Sequence, residues 1–226
     1  MKSFDKLPPQ LKCDEVKPYY DILCQKSASL VLKRVLDVVL SLILLVILII
    51  PIIVISIIIK LTSKGAIFYK QERITTYGRK FKILKFRTMI TNADKMGTLV
   101  TTVSDNRITK VGRFLRKYRL DELPQIFNVL SGSMSIVGTR PEVEHYVSMY
   151  SPEYYATLLM PAGITSPASI MYKDEEKLLS GEINVDEVYV NTILPEKMKY
   201  NLLYIKNFGF RSDIKLMFKT IKEVIR

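Results

Sequence analysis

The stretch that decides the fold is Lys33-Arg34-Val35-Leu36-Asp37-Val38-Val39-Leu40-Ser41-Leu42-Ile43-Leu44-Leu45-Val46-Ile47-Leu48-Ile49-Ile50-Pro51-Ile52-Ile53-Val54-Ile55-Ser56-Ile57-Ile58-Ile59-Lys60. Its uncharged part, Val38 to Ile59, is 22 residues long. As a helix it reaches about 33 Å at about 1.5 Å per residue, enough for a hydrocarbon core of roughly 30 Å. A buried helix of a soluble protein keeps a polar face, and this one has none. A cleaved signal peptide starts earlier, is shorter and ends in small residues. Pro51 lacks an N–H, and its ring displaces the Ile47 carbonyl, so a kink is expected there. Lys26, Lys33 and Arg34 precede the run, and Lys60, Lys64 and Lys70 follow it. A spanning helix usually carries its cations on one side. Cations on both sides favour a helix that enters the membrane, turns at Pro51 and leaves on the same face, over a kinked span. Asp37 and Lys33, four residues apart, are expected to pair where the helix begins.

Beyond this run about 160 residues remain, enough for one domain with its own core. The net charge is +12 (34 Lys+Arg against 22 Asp+Glu), which suits anionic lipid, nucleic acid or a phosphorylated substrate. Next to a membrane segment, lipid headgroups and phosphates are favoured over nucleic acid. Cys13 and Cys24 are the only cysteines and have no metal-ligand spacing, so neither a disulfide framework nor a zinc site is expected. His145 is the only histidine, which argues against a His-based triad, and it reads as a surface residue.

Candidate chemistry centres on Asp121-Glu122 in Leu120-Asp121-Glu122-Leu123-Pro124-Gln125, just after the basic stretch Arg113, Arg116, Lys117 and Arg119. A carboxylate can attack phosphorus, and neighbouring cations lower its repulsion from an anionic substrate. On its own the dipeptide also reads as a helix N-cap followed by a first-turn proline.

Residues 1–29 read as a polar lead-in, mobile or lying on the surface. Ala66–Arg73 and Lys80–Arg87 read as strands of a hairpin joined at Thr75-Thr76-Tyr77-Gly78. Ile108–Arg119 and Leu123–Leu130 read as helices, the second ended by Ser131-Gly132. Pro141–Leu159 is partly helical, and Pro161, Gly163 and Pro167 mark a loop. Glu196–Phe208 and Ser212–Arg226 are amphipathic; in the second, Ile214, Met217, Phe218, Ile221, Val224 and Ile225 share a face. Such helices pack on their own domain or lie in a membrane interface. The expected fold class is α/β in a loose sense: mainly helical with a small β-hairpin, an N-terminal re-entrant membrane helix-hairpin (30–62) and a membrane-associated domain (63–226) with interfacial helices.

Taken in order, these residues resemble a known family. Lys33-Arg34-x-x-Asp37, the apolar run with Pro51, Lys85-Phe86-Arg87-Thr88-Met89, Asp105-Asn106-Arg107-Ile108-Thr109 and Gly112-Arg113-Phe114-Leu115-Arg116-Lys117 come first. Asp121-Glu122-Leu123-Pro124-Gln125, Ser135-Ile136-Val137-Gly138-Thr139-Arg140-Pro141 and Pro161-Ala162-Gly163-Ile164-Thr165 follow. Together they resemble the bacterial sugar transferases, the monotopic phosphoglycosyl transferases, from about Lys33 to the end, and in length the minimal form. Each motif is weak alone; eight in family order are specific.

The resemblance implies an enzyme that moves a phosphosugar from a UDP-sugar to a polyprenol phosphate, usually undecaprenyl phosphate. UMP is released, and assembly of capsule, O-antigen or another surface glycan begins. It implies Asp121 as the nucleophile of a covalent phosphosugar intermediate, with Glu122 beside it and Mg²⁺ near both. It implies Lys85, Arg87, Arg119, Arg140 and Pro141 as the substrate- and phosphate-binding set. Arg87 and Arg140 are the favoured clamps, because guanidinium binds phosphate oxygens bidentately. The implied location is the cytoplasmic face of the bacterial inner membrane, with membrane lipids as partners and no nucleic acid; a homodimer is left open. Three departures stand out: Ile50 replaces a frequent Ser before the hairpin proline, Thr139 replaces the first Pro of Pro-Arg-Pro, and Ala162-Gly163-Ile164-Thr165-Ser166 replaces Pro-Gly-Ile-Thr-Gly. Two competing readings are a membrane-tethered basic binding protein and a membrane glycosyltransferase that releases UDP.

Overall fold

The structure, a computed structural model, describes residues 1–93, 105–173, 175–179 and 184–225. Among them the chain runs α1 (Lys17–Gln25), α2 (Ser27–Thr62), β1 (Phe68–Thr75), β2 (Arg79–Phe86), α3 (Lys110–Lys117), α4 (Gln125–Leu130), β3 (Met134–Val137), α5 (Glu144–Val147), β4 (Ala162–Thr165), α6 (Pro167–Met171), α7 (Glu175–Leu178), α8 (Val185–Val188), α9 (Leu194–Lys206) and α10 (Phe210–Ile225). The fold is mostly helical with small sheets, as the residue patterns predict.

Helix α2 covers the whole apolar run and carries Pro51 inside it. Its middle is bare: Leu42, Ile43, Val46, Ile47, Ile50 and Ile53 all stand exposed. A contiguous apolar surface of this length demands a non-aqueous neighbour. Both flanks, by contrast, are fastened to the domain. On the first flank Lys33, Asp37 and Ser41 fall four residues apart on one buried face. Lys33 Nζ donates to the Val137 carbonyl (2.6 Å) and to Asp213 Oδ2 (2.7 Å). Arg34 donates to the carbonyls of Val129 (2.7 Å) and Leu130 (3.0 Å) at the C-terminal end of α4, where carbonyls run short of helical donors. Asp37 accepts from Ser135 Oγ (2.7 Å) and the Ile136 N–H (3.0 Å). The expected Lys33–Asp37 pair is therefore corrected: both residues turn into the domain, where a buried charge must find partners. On the second flank Ile52 and Ile59 are buried with Phe86 and Leu115. Ser56 bonds back to the Ile52 carbonyl within its own turn (2.7 Å).

The hairpin forms as expected, antiparallel from Phe68 opposite Phe86 to Thr75 opposite Arg79. Its turn places Tyr77 (φ 60°) and Gly78 (φ 74°) in the left-handed region. Helix α3 begins at Thr109, whose hydroxyl accepts from the Gly112 N–H (2.9 Å). Gly112 lies against the hairpin's exit: a Cβ there would sit 1.9 Å from the Thr88 carbonyl oxygen. Helix α4 stops where expected, with Gly132 at φ 80°.

Two expectations are corrected. The segment read as a loop around Gly163 is strand β4, which pairs in parallel with β3, Met134 opposite Ala162 and Val137 opposite Thr165. The strands cross closely at two glycines, since a Cβ on Gly163 would meet the Gly138 nitrogen at 2.2 Å. Four residues that include Gly163 and show no alternation gave no strand signal, and their partner lies about thirty positions away, beyond any local pattern. The polar lead-in is also neither mobile nor merely surface-lying. Leu7, Leu11, Val16, Tyr19 and Leu23 join the main core, packed with residues such as Met198, Ile205 and Phe208. Helix α10 divides its apolar residues: Leu216 and Met217 pack against that core, while Phe218 and Ile221 are exposed. The side chains of Val224 and Ile225, assigned to the same face, lie outside the described residues.

Candidate active site

Asp121 and Glu122 lie in a 3-10 turn, Leu120–Glu122, between α3 and α4. The turn is launched by Arg119 at φ 56°, a left-handed conformation that costs a non-glycine residue about 1–3 kcal/mol. Asp121 makes no capping bond to the turn, so the N-cap reading of the dipeptide does not describe it. Its residue is 7 % exposed, and no described side chain hydrogen-bonds its carboxylate.

Glu122 is held differently. Lys85, from β2, donates to Glu122 Oε1 at 2.7 Å, and Arg140 Nη2 lies 4.0 Å from the same oxygen. The two acids therefore titrate apart. Burial pushes Asp121 above the ordinary carboxylate value, with Glu122 adding to the rise; Lys85, Arg116 and Arg119 only partly offset it. Burial also pushes Glu122 up, but there Lys85, Arg140 and the Lys85 hydrogen bond win and hold it at about 2. Glu122 is thus held as an anion, and Asp121 is a buried carboxylate that no described side chain hydrogen-bonds.

Of the substrate-binding set, the structure gathers Lys85, Arg140 and the charge of Arg119 around the dyad. Arg119 also donates to the Lys173 carbonyl (2.7 Å), tying the turn to the segment after α6. Pro141 is buried next to Arg140, and its carbonyl accepts from Arg73 (3.2 Å). Arg87 is engaged elsewhere. It donates to the Ser63 carbonyl (2.8 Å), Ser63 Oγ (2.6 Å) and the Lys64 carbonyl (3.0 Å), strapping the end of α2 to β2. His145 is exposed, as expected.

Sequence reading missed the supports. Asn128, buried on α4, accepts from the Leu84 N–H (2.9 Å) and donates to the Lys82 carbonyl (2.9 Å), so it pairs with β2 like a strand and sets the register of Lys85. Glu142 accepts from Tyr189 Oη (2.8 Å) and Lys197 Nζ (3.2 Å), and its carbonyl accepts from the Ile74 N–H (3.0 Å). These bonds pin the loop that carries Arg140. Glu142 follows Arg140-Pro141 directly, which is a usable signal; nothing near Lys197 or Tyr189 points to them.

Among the described residues no group of three or more Asp, Glu, His or Cys side chains could hold a metal by itself. Mg²⁺ does not require one, because it usually takes one or two carboxylates together with substrate phosphates and water. The carboxylate oxygens of Asp121, which no described side chain hydrogen-bonds, fit that donor chemistry.

Comparison with known proteins gives a family model described as bacterial sugar transferase, matching residues 28–226. A UDP-N-acetylgalactosamine-undecaprenyl-phosphate N-acetylgalactosaminephosphotransferase from Aeromonas hydrophila is 34% identical over 74% of this chain and 37% of its own. A UDP-glucose:undecaprenyl-phosphate glucose-1-phosphate transferase from Klebsiella pneumoniae is 34% identical over 85% of this chain and 40% of its own. One of the same description from Caulobacter vibrioides is 33% identical over 85% and 69%. The chain thus spans about two-fifths of the length of the first two.

Proposed function

The chain belongs to the bacterial sugar transferase family, a family of transferase enzymes, and from that premise we propose that it transfers a phosphosugar from a UDP-sugar to undecaprenyl phosphate or a similar polyprenol phosphate. The observation that carries this reading is Asp121: a buried carboxylate that no described side chain hydrogen-bonds, beside an acid that Lys85 and Arg140 keep ionised. An Asp121 Oδ atom bonds to the sugar-linked phosphorus of the donor. The bond from that phosphorus to the bridging oxygen breaks, and its electron pair leaves on UMP. A carboxylate attacks as its anion and gives up no proton in forming the bond, so no general base acts in the bond-forming step. Arg140 and Arg119 offset the repulsion between the carboxylate and the diphosphate. Mg²⁺, when bound, would neutralise diphosphate charge, with Asp121 as its best-placed protein ligand and Glu122 beside it.

The acceptor is a lipid, and the anchor suits that. Both flanks of α2 are bonded to one domain, Lys33 to Val137 and Ser63 to Arg87, while the apolar middle is bare. A straight span would put those flanks on opposite faces of the bilayer. This supports a re-entrant helix that turns at Pro51 and returns to the cytoplasmic face of the inner membrane, where a soluble UDP-sugar and a membrane-bound acceptor meet. The exposed Phe218 and Ile221 on α10 suit contact with the same interface.

The test is incubation with a panel of UDP-sugars and undecaprenyl phosphate. UMP release supports the reading; UDP release would make the protein a glycosyltransferase instead. Without acceptor, labelled donor should leave phosphosugar on the peptide that holds Asp121. Asp121→Asn should lower turnover by roughly 10⁴-fold, the scale for a central catalytic group. An active Asn variant would remove Asp121 as nucleophile.

A further inference from the structure

We propose that the groove between the C-terminal half of α2 and helix α3 holds the first isoprene units of the polyprenyl acceptor, its phosphate lying at the Leu120 end. This rests on the transferase reading above and adds the place where the acceptor binds. The groove measures about 350 Å³, within the range of roughly 300–1,000 Å³ typical of ligand pockets. Ile55 and Ile58 of α2, Val111, Phe114 and Leu115 of α3, and Leu120 just beyond α3 line it.

Three features select the occupant. The lining is apolar apart from Lys110, and Ile58, on the same helix as the bare middle of α2, and Phe114 of α3 are both exposed. An apolar chain can therefore slide in from the hydrocarbon without crossing water. Next, Leu120, which lines the groove, is the peptide neighbour of Asp121, so the apolar lining reaches the residue beside the dyad. Lastly, helix α3 carries both chemistries. Leu115 and Phe114 wall the groove, while Arg116 donates to Thr88 Oγ1 (3.2 Å) and its charge acts on Asp121. The ligand that matches is a single apolar chain ending in an anion. An ordinary phospholipid has two chains, and nothing about it calls for a groove lined by the neighbour of a nucleophile.

In this placement an oxygen of the acceptor phosphate bonds to the phosphorus of the phosphosugar held on Asp121. The Asp121 Oδ–phosphorus bond breaks, its electron pair returns to the carboxylate, and the product is a polyprenyl diphosphate sugar. The acceptor phosphate attacks as its dianion, so no proton has to move.

The experiment uses the full chain in nanodiscs and undecaprenyl phosphate carrying a diazirine on an isoprene unit near the phosphate. Photolysis should place adducts on peptides containing Ile55 and Ile58 or Val111 to Leu120. Unlabelled undecaprenyl phosphate should compete, and excess phosphatidylglycerol should not. Adducts confined to residues 42–50, or removed equally by phosphatidylglycerol, would overturn the groove. Ile58→Trp supplies a second readout. Displacing about two methylenes from the groove should raise KM for undecaprenyl phosphate about tenfold and leave KM for the UDP-sugar nearly unchanged. Equal effects on both substrates, or on neither, count against the groove. The two levels fail separately. Transfer to undecaprenyl phosphate with adducts elsewhere removes the groove and keeps the transferase; groove adducts without transfer from any UDP-sugar do the reverse.

Discussion

Glu122→Gln tests the electrostatics of the site through stability. In the folded protein Lys85 and Arg140 hold Glu122 at about 2, against an ordinary 4.5. A carboxyl depressed by folding adds stability that is complete above its unfolded value and disappears as pH falls toward its folded one. At roughly 1.4 kcal/mol per pH unit, the interval from 4.5 to about 2 is worth about 3 kcal/mol near neutral pH. By pH 3 the fall from 4.5 has removed about 2 kcal/mol of it. Glutamine does not titrate, so the variant lacks this term at every pH. The assay is reversible denaturant unfolding of detergent-solubilised wild type and variant at pH 6, 4.5 and 3. The chain has 13 tyrosines and no tryptophan, so circular dichroism or tyrosine emission follows it. The stability gap between the two proteins should narrow by about 2 kcal/mol from pH 6 to pH 3. A gap constant to within about 0.5 kcal/mol would mean that Lys85 and Arg140 do not hold Glu122 low, and the division of roles between the two acids would fall with it.

Two further substitutions probe the frame. Arg87→Lys keeps the charge but loses the fork that bonds Ser63 and Lys64, so it should destabilise the protein by about 1–3 kcal/mol in the same unfolding assay while phosphosugar labelling of Asp121 persists; labelling lost at unchanged stability would return Arg87 to the phosphate-binding set. Pro51→Leu restores a helical hydrogen bond and should move a fraction of molecules to a spanning topology, read by labelling a cysteine at residue 20 from outside intact cells; external labelling of the parent at that site would rule out the re-entrant helix.

Local features were readable in the residues. Gly132 ended α4, the Thr75–Gly78 turn closed the hairpin, and the apolar run became one helix. Features built from distant partners were not. The parallel pair β3–β4 gives no local period, and the partners of Lys33 depend on where Val137 and Asp213 arrive. Within the site, Asp121 and Glu122 stood out as adjacent acids after a basic stretch, and Lys85 and Arg140 as cations in motifs. Arg87 looked the same in sequence but spends its donors on the end of α2. Asn128, Glu142 and Lys197 act by holding other residues in place, and such a role leaves almost no mark in composition.

The bond from Lys33 to Asp213 also sets an order of events during synthesis. The two residues are 180 positions apart, and the lysine leaves the ribosome first. At about 5–20 residues per second, roughly 10–35 seconds pass before its acid exists. Helix α2 is therefore complete while Lys33 is still undocked, and the domain closes around it only after the last helix has been made.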